Sequence, residues 1–208
     1  MKIPLFPLSL VLFPNSLFSL HIFEDRYKKL VKDCLKDEIP FGINFVHNAK
    51  MFDVGCLVKI DNVIEEYEDG KYDIVVKGID RYYLQNFNDG EKSYFVGDVS
   101  IFNDNEEYVD PNLAIECIEN FNEMIKRVKL LNINSISMAE SNNKHLSFLI
   151  AQKAGFTGLQ KQELLEITSE NKRLMFIKNH LKNLLPSLEK AEQIERIIRN
   201  DGYLTNPR

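Results

Sequence analysis

The chain has 208 residues, of which 44% are apolar and 27% charged, and its net charge is −5. This composition suits a globular chain with a sizeable core and excludes a disordered one, and no run approaches the ~20 apolar residues of a membrane-spanning helix. The excess of negative charge disfavours nucleic acid as a partner, since that affinity rests on neutralising phosphates.

The three cysteines, Cys34, Cys56 and Cys117, are odd in number, far apart and without a C-x-x-C pair. They predict reduced thiols in a cytoplasmic protein rather than a zinc site or a disulfide framework. The N-terminus lacks the apolar stretch and cleavage site of a secretory signal. Charge is uneven along the chain. Residues 1–109 hold 12 basic and 19 acidic side chains, residues 110–208 hold 14 and 12. A boundary is therefore predicted near Asp110 and Pro111, giving a first domain over 1–109 and a second over 110–208.

Pro4, Pro7 and Pro14 forbid a helix at the start, because each fixes φ and removes a donor. Residues 1–24 are predicted extended, with turns at the prolines. A helix follows over 25–36, capped by Asp25, with Tyr27, Leu30, Val31 and Cys34/Leu35 at helical spacing. Strands are predicted over 40–46 and over 54–64, the second broken near Asp61 and Asn62. Asp69 and Gly70 form a hairpin turn. Beyond it Tyr72, Ile74 and Val76 alternate with Asp73, Val75 and Lys77, the period of a half-buried strand. That strand continues over 79–87. A turn over 88–90 and a strand over 94–102 complete a β-rich half whose successive hairpins predict an antiparallel, partly closed sheet.

After Pro111 the period changes. Ala114, Cys117, Ile118, Phe121, Met124, Ile125 and Val128 predict an amphipathic helix. A loop over 132–137, a helix around Leu146, Leu149 and Ile150, and a short helix over 159–167 follow. Thr168 or Ser169 caps a long final helix whose stripe runs from Leu174 through Ile177, Leu181, Leu184, Leu185, Leu188, Ala191 and Ile194 to Ile197 and Ile198. Pro186 predicts a kink within it, and Gly202 its end.

The order of these features resembles the N-terminal substrate-binding domain of Lon-type ATP-dependent proteases. The likeness falls on Leu5, Phe6, Pro7 and Leu8, on Phe13 and Pro14, on Ile22, Phe23, Glu24, Arg26 and Tyr27, on Phe41 and Gly42, and on Gly78, Arg81 and Tyr82. The helical half, from Gln160 to Leu181, is similar to the family's bundle. Asn15 stands where the family commonly has Gly, and Asn tolerates the left-handed turn. The resemblance implies an α+β fold: a β-rich, PUA-like pseudobarrel followed by a helical bundle. Pro7, Pro14, Phe23, Glu24, Arg26, Tyr27, Gly78 and Arg81 are its structural motif residues.

The family's ATPase and peptidase motifs are missing. No G-x-x-x-x-G-K-[ST] phosphate loop is present; the nearest stretch, from Gly155 to Lys161, has the wrong spacing. No G-x-S-x-G elbow occurs, and His21, His47, His145 and His180 have no metal-ligand spacing. No cofactor, metal or catalytic residue is predicted, and a stand-alone, non-catalytic member is expected. Its implied role is to recognise exposed apolar segments of unfolded or degron-bearing polypeptides, and their delivery to a separate ATP-dependent protease is the expectation that goes with it.

Phe6, Leu12, Phe13, Leu17 and Phe18 are the predicted contacts for such segments. Glu24 is expected to form a buried ion pair with Arg26 or Arg81 at the sheet–helix junction. Tyr67, Tyr72, Tyr82, Tyr83, Phe87, Tyr94 and Phe95 crowd the β-rich half, and alternation buries about half of them. Two other readings fit the sequence: a PUA-like RNA-binding module, or a protein that self-associates through its final helix.

Overall fold

The structure is a computed structural model that describes residues 1–88, 92–128 and 133–200, with the backbone alone for 195–200. Residues 89–90 of the turn predicted at 88–90, part of the loop at 132–137, the side chains of the stripe beyond Ile194 and the stop at Gly202 lie outside the described residues.

Two compact units are present. The first joins Met1–Glu106 to Gly155–Thr168, and the second joins Glu107–Ala154 to the chain from Ser169 onward. The sequence-based cut at 109/110 is thereby corrected in one respect: residues 155–168 return to the β-rich unit. Hydrogen bonds across the unit explain this. Gln162 Nε2 donates to the Val54 carbonyl at 3.0 Å, and the Arg81 guanidinium donates to the carbonyls of Leu165 and Ile167 at 2.8 and 2.7 Å.

In the first unit, β1 (Lys2–Leu8), β2 (Leu17–Ile22), α1 (Asp25–Asp37), β3 (Phe41–His47), β4 (Lys50–Glu66), β5 (Tyr72–Asn88) and β6 (Val96–Phe102) precede α4 (Gly158–Glu166). β1 pairs in parallel with β3, and every other pairing is antiparallel. The sheet order is β2-β5-β4-β3-β1-β6, and an additional β5–β6 pairing closes a ring of five strands. β5 makes this possible by its length: its first half pairs with β2, its second with β6.

The predicted break near Asp61 and Asn62 is a register shift between Ile60 and Asn62, one of three along the β4–β5 ladder that bend the sheet. The ring is filled by Tyr82, which is fully buried and donates its hydroxyl to Asn44 Oδ1 at 2.5 Å. Gly42 and Gly55 make room for it, since a Cβ on either would overlap the Tyr82 ring or hydroxyl. α1 packs Tyr27, Leu30, Val31 and Cys34 into the same core as Leu20, Ile22, Ile74 and Val76.

The second unit holds α2 (Pro111–Arg127), a 3-10 turn (Met138–Asn142), α3 (Leu146–Ala151) and α5 (Glu170–Asn200). Asp110 caps α2, accepting from the Asn112 amide at 2.9 Å. α2 and α5 run parallel: Glu116 pairs with Lys178 and Lys182 at 2.7 and 2.8 Å, and Arg127 with Glu189 at 2.8 Å. The predicted stripe of α5 is buried at Leu174, Ile177 and Leu181 and reaches the surface by Ala191 and Ile194. α5 is not split at Pro186.

Candidate functional site

The local sequence before β2 builds a tight turn. Asn15 has a φ of 64°, and Ser16 Oγ donates to the Phe13 carbonyl at 2.6 Å. The turn is clamped to β5 by Asn15 N–H to the Gly78 carbonyl (3.0 Å) and Gly78 N–H to the Ser16 carbonyl (2.9 Å). A side chain at position 78 would strike the Phe13 carbonyl, which is why Gly stands there.

From this turn β2 leaves with alternating faces. Leu20 and Ile22 enter the core, whereas Leu17, Ser19 and His21 face outward. Phe18 belongs to the inward face but is 42% exposed. Across the sheet it aligns with Val76 of β5, which aligns with Ile60 of β4. Ile60 in turn lines a groove of about 530 Å³ with Leu35, Ile39, Pro40 and Ile79, to which Glu38 and Lys59 bring the charges. Leu35, Ile39 and Ile79 are each more than a third exposed. The Cys34 thiol at this groove is pushed up to about 12 by burial, so it serves as an apolar surface and not as a nucleophile.

The outward face of the same strands is polar. His21 Nδ1 lies 2.7 Å from Asp73 Oδ1, and the Tyr67 hydroxyl donates to Asp73 Oδ2 at 2.6 Å. These two contacts, the tyrosine hydrogen bond first, hold the Asp73 carboxyl below its usual range. The same hydrogen bond pushes the Tyr67 hydroxyl up to about 12, so it donates and does not act as a base. No hydroxyl or thiol hydrogen-bonds to His21 among the described residues, so the cluster has no nucleophile to activate.

Of the five predicted contact residues, Leu17 and Phe18 are at the surface. Phe6, Leu12 and Phe13 are 5%, 3% and 1% exposed and belong to the core, a correction to the sequence-based reading. The Phe6 and Tyr27 rings pack against each other, tilted by 31°, with centroids 3.9 Å apart. Pro14 is buried, Pro7 is half-buried, and Phe23 is exposed.

The expected buried pair is also corrected. Glu24 does pair with Arg26, at 3.4 Å, but both side chains are about half exposed. Arg81 is buried, and its carboxylate partner is Asp104. The sequence reading names no groove: it assigns Leu35 to the stripe of the first helix and gives Ile39, Pro40, Ile60 and Ile79 no role in binding. Leu35 on the margin of the buried stripe of α1, and Ile39 just beyond the helix's end, are the available signal.

A second cluster combines Ser, Glu and Arg in the other unit. Glu170 accepts from Ser147 Oγ at 2.6 Å and from Arg173 Nη2 at 2.5 Å, and the Arg173 guanidinium lies 4.3 Å from the Phe148 ring centroid. All three polar residues are buried, so the cluster ties α3 to α5 and offers no surface to a substrate. Among the described residues no group of three His, Cys, Asp or Glu side chains is placed to hold a metal ion, and no helix is long and apolar enough to cross a membrane.

The family model described as the ATP-dependent protease La (LON) substrate-binding domain matches residues 2–183. Among solved structures, the chain is similar to the Lon N-terminal domain protein from Xanthomonas campestris. The TM-score is 0.66 at 22% identity, over 84% of this chain and 95% of that one. It is also similar to the N-terminal domain of the Mycobacterium avium complex Lon protease, with a TM-score of 0.69 at 17% identity, over 88% of this chain and 98% of that one. No curated protein matches. The six-stranded sheet with its helices is the α+β fold of these domains. Matched over nearly its whole length, the chain belongs to the Lon substrate-binding domain family.

Proposed function

We propose that this protein binds exposed apolar segments of polypeptides, without catalysing a reaction on them, on the face that runs from Phe18 through Ile60 into the groove at the end of α1. One observation carries the reading: an exposed aromatic of β2 stands in register with an apolar groove of about 530 Å³, a volume within the range that holds a ligand of several side chains. The groove is lined mainly by apolar side chains, and hydrophobic contact is non-directional, so it suits segments of varied sequence. The family's description as a substrate-binding domain of a protease supports polypeptide as the substrate class. Delivery of bound segments to a separate ATP-dependent protease is the wider role such binding serves.

The test is titration of the full chain with a permanently unfolded polypeptide, read by fluorescence anisotropy. Binding in the micromolar range is expected, and none at several hundred micromolar would sink the reading. Phe18→Ser and Ile79→Ser each remove a partly exposed side chain, so each should weaken binding several-fold while shifting stability by no more than about 1 kcal/mol.

A further inference from the structure

β2 is an edge strand, and its open side follows from the bonds around it. Gly78 N–H donates to the Ser16 carbonyl at 2.9 Å, and the bonds of an antiparallel pair fall on every second residue. The backbone of Phe18, Leu20 and Ile22 is therefore turned to β5, and that of Leu17, Ser19 and His21 away from it. Among the described residues no other segment hydrogen-bonds to the backbone of these three. Sheets commonly blunt such an edge with charges, bulges or proline. A second open stretch, residues 59–66 of β4, is blunted in this way: it pairs with β5 alone, shifts register twice and carries Asp61, Glu65 and Glu66. β2 keeps one register from Leu17 to Ile22 and contains no proline, Asp, Glu, Lys or Arg.

The edge is complementary to itself. With a second copy laid antiparallel about Ser19, Leu17 stands opposite His21 and Phe18 opposite Leu20, and the outward N–H and C=O groups of both strands meet. Phe18 belongs to the inward face yet is exposed, and here it gains Leu20 of the second copy at a position without exchanged bonds, where cross-strand side chains lie closest. Leu17 and Phe23 are also exposed, and the Phe23 ring stacks on His21. Across the seam they become diagonal neighbours at about 7–8 Å, within reach of side chains this long. Charge sets the direction of pairing. Residues 61–73, the hairpin formed by the ends of β4 and β5, carry six carboxylates against one lysine. They lie at the Ile22 end, where His21 aligns with Asp73 and Asp73 with Glu65. At the other end Leu17 aligns with Lys77, and Lys77 with Lys59. Antiparallel pairing thus runs the row Glu65, Asp73, His21 of one copy into the row Leu17, Lys77, Lys59 of the other, whereas parallel pairing sets acidic end beside acidic end. Asp73 and Lys77 of the second copy are then three strand spacings apart, roughly 14 Å between backbones. Their side chains shorten this to about one Debye length at 0.1 M salt, so charge orients the pair while main-chain bonds and apolar contacts hold it.

We infer that β2 is the interface of a homodimer in which two copies pair antiparallel through the backbone of Leu17, Ser19 and His21, with Phe18 seated on Leu20 of the second copy. The contact is isologous, so each copy uses up the edge it offers and assembly stops at two. This goes beyond the binding reading above. The groove at the end of α1 meets the sheet at Ile60 of β4, two strands from the seam, and keeps its own ligand.

Sedimentation velocity of the full chain over a concentration series tests this. So short a seam makes a weak dimer, with a midpoint expected at about 100 µM. Ser19→Pro should leave the chain monomeric, because it removes an N–H that points away from β5 and spares the pairing within the copy. Lys77→Glu should weaken the dimer several-fold, and Lys50→Glu, which changes net charge equally at the β3–β4 turn, should not. Amide exchange by NMR on the unaltered chain needs no variant to fold: the Leu17, Ser19 and His21 amides should exchange fast in dilute protein and slow down with the rise in mass. A chain that stays monomeric to about 500 µM would overturn the inference, since no midpoint near the expected one exists. So would growth beyond two copies, a dimer indifferent to Ser19→Pro whose alternate amides still exchange fast, or equal midpoints for Lys77→Glu and Lys50→Glu. Protection of these amides only on adding unfolded polypeptide would give the edge to that polypeptide, overturning the dimer and leaving the binding reading in place.

Discussion

Single residues hold the β-rich unit in its closed form by leaving space. Gly78 lets the Phe13 carbonyl approach β5, and Gly42 and Gly55 admit the Tyr82 ring. Gly78→Ala and Gly42→Ala are each expected to lower stability by about 2–4 kcal/mol, measured as urea midpoints, because the intruding Cβ meets backbone or a fully buried ring. Tyr82→Phe keeps the shape but removes the hydroxyl from Asn44 Oδ1, leaving a buried acceptor short of a partner at a cost of about 1–3 kcal/mol. Tyr83→Phe, at an exposed neighbour, should change little. Alternation predicts that about half of the β-rich half's aromatics are buried, and Tyr82 is among those that are. Its partner, 38 positions earlier, has no local signature. Gly78 was legible as a motif residue, yet the carbonyl that requires it was not.

Among the elements, the start of α5 shows how a cap is shared across sequence. Ser169 Oγ accepts from the Lys172 amide at 3.1 Å and donates to Glu107 at 2.9 Å, while Glu107 accepts from the Asn171 amide at 3.0 Å. Ser169→Ala should cost about 1 kcal/mol, the usual loss of an N-cap. The Asn171 amide, and after it the Ser169 hydroxyl, hold the Glu107 carboxyl below its ordinary range. A carboxylate whose folded value is depressed stabilises the fold above the unfolded value and loses that contribution as pH falls through the folded one. Thermal melts should therefore show stability falling as pH drops through and below about 4, and Glu107→Gln should flatten that fall. Ser169 could be named from its position before a helical stripe. Glu107 could not, because it lies 62 residues upstream in a stretch without periodicity.

For the molecule as a whole, the consequence of its chain path is that the β-rich unit is discontinuous in sequence. Charge along the chain placed a boundary near 109/110, close to the observed 106/107, but local composition cannot show that residues 155–168 return. That return rests on bonds spanning 84, 86 and 108 positions, made by Arg81 to the Leu165 and Ile167 carbonyls and by Gln162 to Val54. A fragment of residues 1–109 keeps Asp104 beside Arg81 but strips the buried guanidinium of both carbonyls. Hydrogen bonds to a charged group contribute about 1.5–3 kcal/mol each, against a total of about 5–15 kcal/mol for a typical domain. It also leaves uncovered the Phe45 ring, against which Gly158 packs so closely that no side chain fits. The fragment should thus unfold at much lower urea than a chain in which a flexible linker joins residues 1–106 to 155–168. Adding a peptide of residues 155–168 to the fragment should recover part of the difference. If the fragment alone proved as stable and as cooperative as the joined chain, α4 would be an ornament on the ring rather than a member of it, and the binding face would depend on residues 1–106 alone.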